Sequence, residues 1–177
     1  EQAKRELIER LLDRARERFE EPVADDVCAF ISGFYSDCSP RDLIQTSLDD
    51  LYGAALAMWR FGQQRTPGEA KIRVYNPRAD KSGWQSSHSG VAELNRLELD
   101  DAMLVHPIYT VERDAEHKLT RLVEKGTEGA LRESYAQIQV SEQPEDRHDA
   151  LRDDIARVLN DVRTAVGDWQ PMLAEAT

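Results

Sequence analysis

The residues best suited to chemistry lie in the segment 86–89, Ser-Ser-His-Ser, where hydroxyl groups flank an imidazole. A serine nucleophile needs a base and a third, orienting group, which must meet across the fold, and sequence neighbours seldom provide that geometry. None of the nine glycines has a spacing that would let backbone amides approach phosphate groups at a helix start. We therefore interpret 86–89 as a structural loop, and the sequence predicts no catalytic and no cofactor-binding residue.

Metal-ligand spacing is missing as well. The four histidines fall on unlike predicted elements, without the H-x-x-x-H or H-x-E spacing that places two ligands on one face: His88, His106, His117 and His148. The two cysteines, Cys28 and Cys38, lie outside any C-x-x-C spacing. The sequence therefore predicts no metal ligand and no disulfide framework.

Composition narrows the classes of partner. The 177 residues are 40% hydrophobic and 32% charged, a balance typical of a folded domain, and the formal net charge is −11. Such a charge opposes binding to nucleic acids and anionic membranes, because affinity for phosphate comes mostly from Lys and Arg. No apolar run approaches the roughly 20 residues that cross a bilayer, and the N-terminus lacks an apolar signal region. We expect a cytoplasmic protein, and a start without Met favours a fragment.

The first third of the chain has helical periodicity. Apolar residues recur at helical spacing from Lys4 to Glu20, and a second stripe follows Pro22 and ends near Asp37. Ser39 precedes Pro40 as a predicted N-cap of a short helix, and Ser47 opens a stronger helix whose apolar face includes Trp59. We therefore predict helices up to residue 66, with Trp59 in the core.

The remainder alternates between strand and helix patterns. Lys71–Tyr75 alternates as a half-buried strand, and Met103–Val111 forms a longer strand in which Pro107 indicates an edge position or a bulge. We expect a hairpin tip at 114–117, a returning strand over 119–123, and a strand over 135–140 with Ala136, Ile138 and Val140 on one face. Short and long helices are predicted over 91–97 and from Pro144 to Gly167.

These elements predict an α+β fold. Residues 1–66 form an N-terminal helical segment, and residues 67–177 form an α+β module with a small antiparallel sheet, covered by helices on one face, and a long C-terminal helix. Within the second part, Trp84 lies in a polar loop, where a large ring needs a surface to pack on. The ring either anchors the loop to its own module or contacts a neighbouring domain, and anchoring is the more common arrangement.

Several strings of the sequence closely resemble the N-terminal region of the large bacterial NAD-specific glutamate dehydrogenases. They are LYGAAL at 51–56, WRF at 59–61, GEAKIRVYNP at 68–77 and GWQSSH at 83–88, followed by shorter matches at 94–96, 105–107 and 113–115. The pattern departs after His88-Ser89, where the family continues with another strand and an Asn-Asp-Asp-Met-Pro-Phe stretch. The resemblance covers about 49–113 and implies tandem ACT-type regulatory modules, with the NAD-binding, glutamate-oxidising domain far downstream.

The resemblance implies a non-catalytic regulatory and assembly region of an NAD-dependent glutamate dehydrogenase, whose parent converts L-glutamate, NAD and water to 2-oxoglutarate, ammonium and NADH. It further implies downstream domains of the same chain and a homo-oligomer as partners, with NAD bound only in the parent. The alternative is a self-contained ACT-type module that senses an amino-acid effector. Trp84, Gln85, Ser86 and His88 are the candidate interface or ligand loop.

Overall fold

A computed structural model describes residues 1–66, 70–78, 84, 103–105, 107–139 and 142–175. The helices among them are α1 (Gln2–Arg18), α2 (Val23–Ser36), α3 (Pro40–Gln45), α4 (Leu48–Gly62) and α5 (His148–Glu175), which follows a short 3-10 turn at 145–147. The helical prediction for the first third is confirmed.

Local sequence signals set two helix starts. Ser39 caps α3 by accepting a hydrogen bond from the backbone of Arg41, and proline occupies the first turn. Ser47 caps α4 by accepting from the backbone N–H of Asp50 at 3.1 Å. A serine followed by helix-compatible residues thus predicts both starts correctly.

The strands are β1 (Met103–Val105), β2 (Ile108–Arg113), β3 (Leu119–Val123), β4 (Leu131–Ser134) and β5 (Gln137–Gln139). All described pairings are antiparallel: β1 pairs with β5, and the three-stranded sheet has the order β3-β2-β4. The hairpin between β2 and β3 turns at 115–116, as predicted. The fold is therefore α+β and ACT-like, with helices and a small antiparallel sheet.

Pro107 divides a single register. Ile108 pairs with Ser134 and Val105 pairs with Gln137, so both ladders keep the same alignment on either side of the proline. The backbone N–H of Tyr135 still donates to the carbonyl of Pro107 at 2.9 Å, but proline has no N–H to return the bond. The predicted interruption is correct. The predicted edge position is wrong, because β2 is the central strand.

Two other strand predictions need correction. Lys71–Tyr75 forms no strand, and its side chains instead contact the end of α4, so period-two alternation lacked a neighbouring ladder. On the second strand, Ala136 is exposed while Gln137 is buried, so the polar residue faces inward; the predicted Val140 lies outside the described residues.

The last helix is longer than predicted, since α5 continues through Gly167 to residue 175. A glycine ends a helix only where the backbone turns left-handed, and its presence alone does not require that. The helix predicted over 91–97 lies outside the described residues.

The core joins helices and sheet. Phe30 of α2 stacks on Tyr109 of β2 at 4.7 Å between ring centroids, and it meets the rings of Trp59 and Tyr135 edge-on at 5.4 and 5.5 Å. The hydroxyl of Tyr109 donates to the carbonyl of Phe30 at 2.6 Å. Trp59 is buried in this cluster, so its predicted core position is confirmed.

Candidate functional site

Trp84 is buried within its own chain, with 2% of its surface exposed. Its side chain lies directly over Gly53 of α4, where even a methyl group would collide with its Cβ and Cγ. Tyr75 meets the indole edge-on at 6.4 Å between ring centroids. This arrangement supports anchoring of the loop. The other three residues of the candidate loop, Gln85, Ser86 and His88, lie outside the described residues.

The segment before this loop is attached to the end of α4. Lys71 Nζ donates to the carbonyls of Phe61 and Gln64 at 2.7 and 2.8 Å, which places a cation at the negative end of the helix dipole. Arg73 lies over the rings of Phe61 and Tyr75, at 4.9 and 4.3 Å from their centroids. These contacts explain why the segment follows α4 and forms no strand.

A buried ion pair lies on the inner face of the sheet. Arg113 on β2 donates through Nε and Nη2 to the two carboxylate oxygens of Glu133 on β4, both at 2.8 Å. The two side chains are only 3% and 5% exposed. Arg65 lies 3.3 Å from the same carboxylate, and the Tyr135 hydroxyl donates to it at 3.2 Å. The pair is thus both bidentate and supported by further donors.

The same guanidinium holds the end of α4. Arg113 donates to the carbonyls of Gly62 and Gln63 at 2.8 and 3.2 Å and to that of His117 at 2.9 Å. It therefore binds the last carbonyls of a helix, which have no partner within the helix, and joins α4 to the sheet. The sequence analysis missed this pair. Alternation would have revealed it, because Arg113 and Glu133 have the same parity as buried Tyr109 and Tyr135.

The environment shifts the titration of this cluster. Burial by itself raises the pKa of Glu133, but hydrogen bonds from Arg113 and the positive charges of Arg113 and Arg65 outweigh it, so the net pKa lies below its ordinary value. Burial, followed by the charge of Glu133, raises the pKa of Tyr135 to about 12. At neutral pH the cluster therefore holds one carboxylate, one guanidinium and one neutral phenol.

This shift predicts a pH dependence of stability. Because the folded-state pKa of Glu133 is depressed, its contribution to the free energy of unfolding is present above the unfolded value and is lost as pH falls through the folded value. We expect the stability difference between wild type and Glu133→Gln to be largest at neutral pH and to shrink in acid. Urea unfolding of both proteins across the acidic range measures this, and a difference that stays constant with pH would contradict it.

A shallow cleft lies where the segment after Tyr75 meets the start of α5. Asn76 Nδ2 donates to the carbonyl of Gln143 at 2.7 Å, and the Gln143 N–H donates back to Asn76 Oδ1 at 3.4 Å. Beside this pair, a volume of about 310 Å³ is also bordered by Arg78, Glu142, Pro144 and Glu145. Both charge signs thus face one opening.

The other sequence candidates fall apart in space. His117 occupies a left-handed position in the β2–β3 turn, and His148 contacts the carbonyl of Gln143 at 3.2 Å; His106 lies outside the described residues. Cys28 and Cys38 are free thiols. Within the described part of the chain, no group of His, Cys, Asp and Glu is arranged to hold a metal ion. Of the described helices, none is both long and apolar enough to cross a membrane.

Comparison with known proteins gives a family match. The sequence model of the family described as "Glutamate dehydrogenase, ACT1 domain" matches residues 30–92 and 89–155. The two matched segments meet at 89–92, the place where the sequence departs from the family pattern. No solved structure matches the chain at a significant level.

Two similar proteins have the name NAD-specific glutamate dehydrogenase. The one from Halomonas elongata is 37% identical over 199 residues, which cover 99% of this chain and 12% of the relative. The one from Pseudomonas aeruginosa is 32% identical over 170 residues, covering 85% of this chain and 10% of the relative. The chain thus spans about a tenth of the length of these relatives. With the family model matching most of its residues, the chain belongs to the ACT1-domain family of glutamate dehydrogenases.

Proposed function

We propose that this chain is a non-catalytic regulatory and assembly region of a large NAD-dependent glutamate dehydrogenase. The observation that carries the proposal is the match itself, which covers 99% of this chain but only 12% of an NAD-specific glutamate dehydrogenase. The parent would oxidise L-glutamate with NAD and water to 2-oxoglutarate, ammonium and NADH in the cytoplasm. Its NAD site and catalytic groups would lie in other domains of the same chain, and the parent would be a homo-oligomer.

The chemistry of the buried polar groups supports a structural role. The guanidinium of Arg113 is occupied by Glu133 and by three backbone carbonyls, and the Tyr109 hydroxyl is bound to the carbonyl of Phe30. A general base or nucleophile needs a free valence toward a substrate, and these side chains direct theirs into the fold.

The cleft at Asn76 favours a second candidate function, amino-acid sensing. An amino acid carries one carboxylate and one ammonium group, and the opening is bordered by the cation of Arg78 and by the carboxylates of Glu142 and Glu145. A free amino acid bound there would link the segment after Tyr75 to the start of α5. This candidate differs from the first in needing no downstream domain.

Two measurements separate the possibilities. We expect removal of this region from a parent dehydrogenase to change the oligomeric state or the glutamate dependence of the rate while leaving NAD-dependent turnover intact. Calorimetry on the 177-residue chain should give no NAD binding, and micromolar NAD binding would overturn the non-catalytic assignment. Binding of one of the twenty amino acids to the isolated chain, lost in Arg78→Gln, would favour the sensing module.

A further inference from the structure

The sheet has an apolar outer face, opposite the one that packs on α2. We define this outer sheet face by five residues that alternate with the buried ones: Ile108, Thr110, Val123, Ala136 and Ile138. Ile108, on the central strand, is 55% exposed, and Ala136 is exposed as well. A sheet face that meets water is normally polar, so an apolar one indicates a contact surface.

A second apolar surface lies on α5. The α5 stripe consists of Leu151, Ile155, Val158 and Leu159, which recur at helical spacing. Leu159 is 40% exposed, and Ile155 and Val158 are half-buried. A helix of this length extends about 42 Å, and helices gain most of their stability by packing such a stripe against another element.

The charges beside the two surfaces are complementary. Asp154 and Asp161, two turns apart, flank the α5 stripe on one side, and Asp161 is exposed. Arg132 on β4 is exposed and pairs across the strands with Thr110 of the outer sheet face. In a chain of net charge −11, a cation beside an apolar surface selects an acidic partner, and α5 provides one.

The dimensions also agree. Three strands spaced about 4.8 Å apart form a face about 10 Å wide, which one helix of about 10–12 Å diameter covers. Because Ile108 and Leu159 both stay exposed within one chain, the helix that covers the sheet comes from a second copy. Each copy has both surfaces, so the contact closes by two-fold symmetry.

We propose that the α5 stripe of one copy packs on the outer sheet face of a second copy of this chain, reciprocally, with Asp161 beside Arg132. This inference rests on the proposed assembly role and gives it a surface. It differs from pairing of strand edges, because no backbone hydrogen bond crosses the contact.

Sedimentation of the 177-residue chain tests the apolar part of the contact. We expect a concentration-dependent dimer whose dissociation constant rises at least about tenfold in Ile108→Asn and in Leu159→Asn. The matched control is Ile44→Asn on α3, where the isoleucine is 57% exposed, and it should leave the dimer unchanged. Thermal unfolding of each variant verifies that the fold survives. A wild-type monomer at every concentration, or equal effects of Ile44→Asn and Ile108→Asn, would overturn the proposal.

Charge reversal tests the orientation. Asp161→Arg and Arg132→Glu should each weaken the dimer, and the two together should restore it, whereas the exposed Arg41→Glu should have no effect. A combined variant no tighter than either single variant would overturn the pairing. The outcome is separate from that of the proposed function, because deletion of the region from a parent dehydrogenase reports on regulation whether or not this surface dimerises.

Discussion

Glu133→Ala is expected to lower the free energy of unfolding of the chain by about 3–5 kcal/mol, because removing one member of a buried ion pair leaves the other charge without compensation. The partner is Arg113, which is 3% exposed. Its remaining acceptors are backbone carbonyls, which carry no full charge. Urea unfolding followed by circular dichroism measures the loss.

A nearby carboxylate provides the control. Glu112 precedes Arg113 on β2 and faces the other side of the sheet, where it is half-buried, so Glu112→Ala should cost less than about 1 kcal/mol. Replacing both partners, with Arg113→Met and Glu133→Leu, should recover part of the stability lost in Glu133→Ala, since no uncompensated charge then remains. Equal losses in the Glu112 and Glu133 variants would contradict the buried pair.

Trp84→Ala should destabilise the isolated chain by about 3–5 kcal/mol, since it removes a large buried ring that the backbone cannot collapse to replace. The indole is 2% exposed and lies between Gly53 and Tyr75. Thermal and urea unfolding of the 177-residue chain measure the effect, with no partner needed.

Gly53→Ala tests the same contact from the other side. A methyl group on Gly53 would collide with the Trp84 side chain, so the substitution should destabilise the wild type and should cost much less in the Trp84→Ala background. Additive effects would show that the two residues do not touch. If Trp84→Ala leaves the melting temperature unchanged and instead weakens assembly of a parent enzyme, the ring contacts another domain and local anchoring is wrong.

Periodicity predicted elements well where a neighbour was available in the chain. The helices up to α4 follow from apolar spacing and serine caps, because both signals act within a few residues. At β5, by contrast, the prediction put Ala136 inward on hydrophobicity alone. The buried residue is Gln137, whose parity with Glu133 and Tyr135 is set by a register that no local pattern contains.

The polar cluster of the sheet could not be predicted for a similar reason. Arg113 and Glu133 are twenty residues apart, and charged residues are usually exposed, so composition favoured a solvated hairpin. The division at residues 66 and 67 remains a prediction, although the core of Phe30, Trp59 and Tyr135 includes residues from both sides of it. Trp84 shows the opposite case, in which residue type alone indicated the need for a partner surface.

The stacking of Phe30 on Tyr109 and Tyr135 also has a consequence for synthesis on the ribosome. The inner surface of α2 emerges long before the strands that cover it, and at about 5–20 residues per second the wait for Tyr135 lasts on the order of 5–20 s. During that interval Phe30 and Phe34 are uncovered by the sheet. The nascent helices are therefore a binding site for hydrophobic-segment chaperones, and they stop being one when β4 leaves the exit tunnel.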